Sequence, residues 1–176
     1  AGQEFWLTFP GNYAPDPANP VKPQLLILGL TGTGVTVSAP GIGYNFAGAI
    51  PAGGLLTVTL PKAVDLADAN DVIGANGIHV VATARVGIHA LSKVKYTSDG
   101  YLALPVEALG TRHMILAHPN VHADVPELEG SQFALVGTQP DTRVLIIPSV
   151  VTGVRDEGVA YVIKVNAGET YQLRTT

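Results

Sequence analysis

The chain has 176 residues, a net charge of −4 and no cysteine, and one domain of this length can bury a sizeable core without a disulfide or a structural metal. Only 14% of the residues are charged, and Lys and Arg form no cluster in the sequence, which argues against nucleic acid as a partner because phosphate neutralisation needs clustered cations. No apolar run reaches the length of about 18 residues expected of a membrane-spanning helix, so no membrane span is predicted, and no residue pattern indicates a cofactor.

The first part of the chain predicts short strands separated by turns. Phe5, Leu7 and Phe9 alternate with other residues, so they share one face of a strand and are expected in the core, where we also place Trp6. A loop rich in Pro, Asn and Asp follows. Further strands are predicted at 24–30, 34–39, 43–50 and 54–60, because β-branched and apolar runs alternate there with Pro-Gly and Gly-Gly turn signals.

The middle of the chain changes character twice. Residues 62–76 are the least strand-like part, and four oxygen-bearing side chains crowd it: Asp65, Asp68, Asn70 and Asp71. They predict a solvated turn, with a Ca²⁺ site as the weaker alternative, because a calcium loop needs a regular alternate spacing. The next segment, 77–91, predicts two strands joined near Ala84. His79 and His89 lie within these strands and are expected to be strand residues, not metal ligands.

One block of sequence occurs twice. Residues 24–40 match residues 132–148 at a shift of 108 without a gap, and Ala52-Gly53 is repeated as Ala167-Gly168 at a shift of 115. A repeat of this length sets the architecture. The sequence therefore predicts one domain over 1–176, an all-β sandwich of mostly antiparallel short strands, whose related halves are 5–60 and 113–173.

The repeat also makes predictions about single positions. Gly29 and Gly137 should each stand at a matching strand end, and at least one of them should need a positive φ or a close approach of backbone. The first copy continues through residues 61–110 and the second does not. Either the chain is a piece of a longer protein, a reading that its first residue Ala1 also favours, or the extra strands of the first copy serve both halves.

Two long loops carry matching polar residues. Asn12 and Asp16 correspond to Asn120 and Asp124, and this correspondence predicts side chains that brace their own loops through hydrogen bonds to backbone. A Zn²⁺ or Cu²⁺ site is the alternative for the second loop, because imidazole and carboxylate are suitable ligands. Its candidate ligands are His118, His122 and Asp124, and we predict no metal there since Pro119 breaks any helix that would align the histidines.

The stretch from Lys93 to Tyr101 is the best candidate for a binding site. It combines aromatic rings that carry hydroxyls with charges of both signs, and the second copy has no counterpart. Tyrosine supplies apolar area and a hydroxyl, which suits contact with a protein or a sugar. The predicted ligand-binding residues are Lys93, Lys95, Tyr96, Asp99 and Tyr101. The alternative is that Asp99-Gly100 forms a turn and the tyrosines support it.

Several motifs resemble a known family. They begin near the start with the segment from Phe5 to Tyr13, continue with the blocks at 76–80 and 96–110, and end with 131–138 and 166–173. Together they resemble the N-terminal domain of the IgG-Fc-binding protein and its bacterial relatives. The resemblance implies an extracellular, β-rich binding or adhesion module and supplies no catalytic residues. Binding to antibody Fc does not follow, because relatives share a fold more widely than a ligand.

These observations favour a secreted or surface-exposed recognition module, without catalytic activity, that binds a protein or glycan through its loops. The alternative is a structural or assembly domain, such as a stalk or tip unit of a homo-oligomer. A polysaccharide hydrolase is weaker, because Glu107, Glu127 and Glu129 have no fixed separation in the sequence. The mass in solution would separate the first two, since a monomer favours recognition and a stable trimer favours assembly.

Overall fold

The computed structural model describes residues 1–12, 18–95, 97–117 and 130–175. Within these ranges the chain forms twelve strands: β1 Gly2–Leu7, β2 Lys22–Leu28, β3 Gly34–Ala39, β4 Tyr44–Ala49, β5 Leu55–Thr59, β6 Val72–Gly74, β7 Ile78–Lys93, β8 Asp99–Ala103, β9 Gln132–Val136, β10 Thr142–Ile146, β11 Tyr161–Val165 and β12 Thr170–Arg174. Three short 3₁₀ turns lie at Pro40–Ile42, Lys62–Val64 and Val106–Ala108. All pairings between these strands are antiparallel, which confirms the all-β prediction. No helix in the described part of the chain is long and apolar enough to cross a membrane.

The strands of the first half pack together with β7 and β8 into a sandwich built around β7. The first part of β7 pairs with β1 and β3, and its second part pairs with β2 and β8. Strand β4 extends the first layer beyond β3, and β5 extends the second layer beyond β2. The prediction of two strands joined near Ala84 is wrong. The buried alternation continues through Ala82, Val86 and Ile88. Both parts of β7 find pairing partners, so one strand crosses from layer to layer.

The core of the first half lies between these layers. Phe5, Leu7 and Phe9 are buried, as their alternation predicts, although β1 ends at Leu7 and Phe9 makes an isolated bridge to Asp65. Burial of each such side chain stabilises the fold by about 1.5–3 kcal/mol. Trp6 faces the other way and is only half-buried. The prediction that Trp6 belongs to the core is therefore wrong, because it alternates with the inward-facing residues.

Two strand pairs of the second half, β9–β12 and β10–β11, correspond to the pairs β2–β5 and β3–β4 of the first. Gln24 lies opposite Thr59 in the pair β2–β5, and Gln132 lies opposite Arg174 in the pair β9–β12, which preserves the shifts of 108 and 115. The turns agree as well, because the Gly29 amide donates to the Gly54 carbonyl and the Gly137 amide donates to the Glu169 carbonyl, at 3.0 and 2.8 Å. The internal repeat over 5–60 and 113–173 stays a prediction.

Two details of the repeat differ from the sequence alignment. Val35 lies opposite Gly48 in β3–β4, and its structural counterpart opposite Ile163 in β10–β11 is Val144. Residues of β3 therefore correspond to residues of β10 at a shift of 109 and not 108. The turn before β10 contains one residue more than the turn before β3. Residues 113–117, which match the opening strand, form no strand.

Two glutamine side chains, which the sequence analysis did not single out, join the second half to the rest of the chain. Gln172 of β12 is fully buried. Its amide nitrogen donates to the carbonyls of Leu66 and Ala69 at 2.9 and 2.8 Å, and its side-chain oxygen accepts from the Gly11 amide at 2.8 Å. The side chain of Gln132 also donates to the Gly11 carbonyl. The second half therefore holds Gly11 in place. The next residue, Asn12, contacts the stretch from Lys93 to Tyr101, which is called the candidate loop below.

Candidate functional site

The candidate loop forms the turn between β7 and β8. Ser92 lies opposite Asp99 at the end of the ladder. The Ser98 hydroxyl closes the turn, since it donates to the Val94 carbonyl at 2.8 Å and accepts from the Val94 amide at 3.2 Å. Val94 is buried beneath the turn, so the residues on either side of it point outward.

The structure places four of the five predicted binding residues, and the fifth, Tyr96, lies outside the described residues. Lys93, Lys95 and Asp99 are exposed, and Tyr101 keeps 39% of its surface exposed. They do not share one cleft. Asp99 and Tyr101 line a first cleft, whereas Lys93 and Lys95 line a second one at the same turn.

The first cleft has a volume of about 240 Å³ and lies between the turn and the segment that follows β1. Its lining residues are Phe9, Pro10, Gly11, Asn12, Ser92, Asp99, Gly100, Tyr101 and Gln132. The lining is a mixture of aromatic, amide, hydroxyl and carboxylate groups. Since Gln132 belongs to β9, this cleft is formed by both halves of the molecule.

Tyr101 is both a wall of the first cleft and a structural support. Its hydroxyl donates to the Thr8 carbonyl at 2.7 Å, and its ring meets Phe9 edge-on with a centroid distance of 6.4 Å. Burial of the hydroxyl end raises the pKa of Tyr101 above its ordinary value, because a buried phenolate would lose its solvation. The exposed part is therefore ring surface, and the hydroxyl is already committed within the protein.

The side-chain nitrogen of Asn12 braces the loop from Lys93 to Tyr101. Its side-chain nitrogen donates to the Ser92 hydroxyl at 3.0 Å and to the Thr97 carbonyl at 2.7 Å. The sequence predicted bonds from Asn12 to its own loop, and for these two bonds that prediction is wrong. The β7–β8 turn packs beside Asn12 although it is distant in sequence. The matching residues Asp16, Asn120 and Asp124 lie outside the described residues.

The second cleft brings three lysines together. It has a volume of about 230 Å³ and is lined by Asn19, Lys22, Val94 and the two predicted lysines. Lys22 lies directly opposite Lys93 in the β2–β7 ladder. Like charges opposite each other destabilise a sheet, and a group of cations creates a positive potential that attracts anionic groups. The sequence shows no such cluster because Lys22 comes from a distant strand.

The oxygen-rich stretch of the middle segment is used internally. Asp65 accepts from the Ala67 amide at 2.9 Å, and burial raises its pKa. Asn70 accepts from the backbone amide of Arg174 at 2.9 Å. Asp71 pairs with Arg155 at 2.9 Å. The expectation of a solvated turn is therefore wrong for Asp65 and Asp71, whereas Asp68 and Asn70 are exposed. Within the described ranges no group of three or more metal-ligating side chains forms.

The histidines give no metal site in the described chain. His118 and His122, with Asp124, lie outside the described residues, so the metal alternative there is untested. His79 stacks on Trp6 at a centroid distance of 4.2 Å, and its Nε2 lies 2.9 Å from a Glu4 carboxylate oxygen. His79 is thus a residue of strand β7 with a partner for one ring nitrogen, as predicted.

One comparison with known proteins gives a match. Residues 99–176 match the model of the family described as IgGFc binding protein. The chain resembles this family. The match begins at Asp99 and covers β8 and the second half, whereas Lys93, Lys95 and the opening motif from Phe5 to Tyr13 lie before it. No curated protein and no solved structure matches the chain.

Proposed function

We propose that this chain is an extracellular, non-catalytic recognition module that binds an acidic surface of a protein partner through the β7–β8 turn. The observation that carries the proposal is the gathering of Lys22, Lys93 and Lys95 at this turn, beside the cleft walled by Tyr101. The family match supports a binding role with a protein, since the family description names binding of IgG Fc.

The turn has the composition of a binding surface on a rigid support. Asn12 and Ser98 hold its backbone, so the backbone of the turn loses little further freedom on binding. The lysines attract a partner of negative charge, and the exposed ring surface of Tyr101 supplies apolar contact area. A sialylated or sulfated glycan is the other ligand class with matching charge.

Charge reversal at the turn tests the proposal. The wild-type chain is applied to an array of extracellular proteins, with antibody Fc among them, and to an array of sialylated and neutral glycans. The variant Lys22→Glu/Lys93→Glu should lose binding to its protein partner at least tenfold and with a weaker salt dependence. The matched control Lys62→Glu/Lys164→Glu carries the same charge change on exposed lysines elsewhere and should bind as the wild type does. Binding to glycans alone, or equal losses in both variants, would contradict the proposal.

A second candidate function is assembly with further copies of the chain. The outer face of β10 and β11 exposes Leu145, Ile147 and Val162, where the first half has the polar or small residues Thr36, Ser38 and Ala47. A contiguous exposed apolar face is typical of an interface. The mass in solution decides: a concentration-independent trimer or dimer favours assembly, and a monomer at high concentration leaves recognition as the function.

A further inference from the structure

The hydrogen-bond donors around the first cleft are already used within the protein. The Tyr101 hydroxyl and the side-chain nitrogens of Asn12 and Gln132 donate to oxygens of the chain itself. The backbone amide of Gly11 is committed as well, since it donates to the side-chain oxygen of Gln172 at 2.8 Å. A ligand that must accept hydrogen bonds, such as a carboxylate or a sulfate, is therefore poorly matched to this cleft.

Asp99 supplies the strongest acceptor of the cleft. Its side chain is exposed and lines the cleft. Among the residues that the structure describes, the Asp99 carboxylate forms no ion pair and no hydrogen bond. An ionised carboxylate only accepts hydrogen bonds, and those from a cationic donor are the strongest. The cleft is thus suited to a ligand that brings both a positive charge and N–H groups.

The lysines of the second cleft lie on the other face of the sheet. Ser92 lies opposite Asp99 in the β7–β8 ladder and lines the first cleft. The next residue, Lys93, is exposed and lines the second cleft. Successive side chains of a strand point to opposite faces. The β7–β8 turn therefore carries a negative charge on one face and a group of positive charges on the other.

Aromatic surface accompanies the carboxylate. Tyr101 follows Asp99 by two residues in β8, so the two side chains share one face of the strand. Part of the Tyr101 ring is exposed, and Phe9 lines the same cleft. A guanidinium is planar, pairs with a carboxylate through two parallel N–H bonds and stacks on aromatic rings, whereas the lysine ammonium is a compact charge. A carboxylate beside an exposed ring therefore matches arginine better than lysine.

The size of the cleft fits one side chain. Clefts that enclose a drug-sized ligand have volumes of about 300–1,000 Å³, whereas the first cleft has about 240 Å³. The expected occupant is therefore a single protruding group of a larger partner.

We propose that the first cleft binds an arginine side chain of the protein partner. The guanidinium pairs with the Asp99 carboxylate, and the ring surface of Tyr101 stacks against it. This inference rests on the proposed function, since it assigns a second contact to the partner that the lysines attract. The partner thus carries acidic residues and an arginine, which reach opposite faces of the same turn.

N-acetylarginine amide tests the cleft without the partner. Added to the full 176-residue chain, it should shift the NMR amide resonances of Gly11, Gly100 and Tyr101, which line the cleft. The neutral analogue N-acetylcitrulline amide has nearly the same shape and should leave these resonances in place. Asp99→Asn should abolish the shifts, and the matched control Asp156→Asn, which neutralises an exposed carboxylate elsewhere, should keep them. Equal shifts with both compounds, or none with either, overturn the proposal.

The partner found on the protein array separates this inference from the proposed function. Asp99→Asn should weaken binding of the partner at least about fivefold, because it removes the charge that the guanidinium pairs with, whereas Asp156→Asn should bind as the wild type does. If Lys22→Glu/Lys93→Glu loses binding and Asp99→Asn does not, recognition by the lysines stands and the arginine site is overturned. Loss in Asp99→Asn alone would support the arginine site and contradict the role of the lysines.

Discussion

At the scale of residues, Tyr101 has two roles that a substitution can separate. Tyr101→Phe removes only the bond from its hydroxyl to the Thr8 carbonyl, which should cost about 1 kcal/mol of unfolding free energy. Binding of a partner should be unchanged because the hydroxyl does not face the ligand. Tyr101→Ala also removes the ring and should weaken binding by about 1–2 kcal/mol, the scale of an aromatic anchor. Urea unfolding and titration of the partner measure the two effects, and equal binding by wild type and Tyr101→Ala would remove Tyr101 from the site.

Asp65 predicts a pH dependence of stability. Burial is the main cause of its raised pKa, and one carboxylate oxygen is buried without a hydrogen-bond partner. A carboxyl whose pKa is higher in the folded chain destabilises the fold when ionised. This penalty is absent below the unfolded pKa and grows as the pH rises through the folded one.

The variant Asp65→Asn keeps an oxygen that can accept from the Ala67 amide and removes the charge. Its melting temperature should exceed that of the wild type at pH 7, and the difference should shrink toward pH 3, where Asp65 is protonated in both states. Thermal unfolding of both proteins across this range is the measurement. A difference that stays constant with pH would show that the charge of Asp65 carries no penalty.

Residue-level predictions from the sequence succeed where the rule is local. Phe5, Leu7 and Phe9 are buried because a strand alternates with a period of two. Gly29 and Gly137 stand where an added Cβ would meet other atoms. The sequence could not predict the contacts of Lys22, Gln172 and Asn12. Each of these residues contacts a partner that is distant in sequence and becomes a neighbour only through the order of the strands.

At the scale of elements, the two matching glycines differ in what surrounds them. A Cβ on Gly29 would lie 2.8 and 2.9 Å from the side-chain ends of Ile50 and Val86, whereas one on Gly137 would collide with the backbone carbonyl of Asn166. Side chains can move aside more easily than a backbone that holds a turn. Gly137→Ala should therefore destabilise the protein by more than about 1 kcal/mol, and by more than Gly29→Ala does. Chemical unfolding of the two single variants decides, and the reverse order of stabilities would contradict the geometry.

The strand elements were predictable from the sequence in most places, because turn residues and apolar runs mark them locally. Two departures have one cause. Strand β7 stays continuous where two strands were predicted, and the segment 113–117 forms none. Both depend on which neighbouring strands are available for pairing. Strand β7 has partners in two layers along its length. In the described part of the second half, residues 113–117 pair with no strand.

At the scale of the whole molecule, the candidate binding turn depends on both halves. Gln172 and Gln132 of the second half hold Gly11, and the next residue, Asn12, holds the β7–β8 turn. The family match covers β8 and the second half. It therefore includes β9 and β12, whose glutamines hold Gly11. The proposed site is thus a product of the complete arrangement and not of a loop alone.

Hydrogen exchange of the complete chain, with and without the protein partner found on the array, tests the central claim most directly. We predict slower exchange in the β7–β8 turn and at the start of β2, where Lys22, Lys93 and Lys95 lie, with little change on the outer face of β10 and β11. Protection confined to β10 and β11, with the β7–β8 turn exchanging as in the free protein, would contradict recognition through this turn.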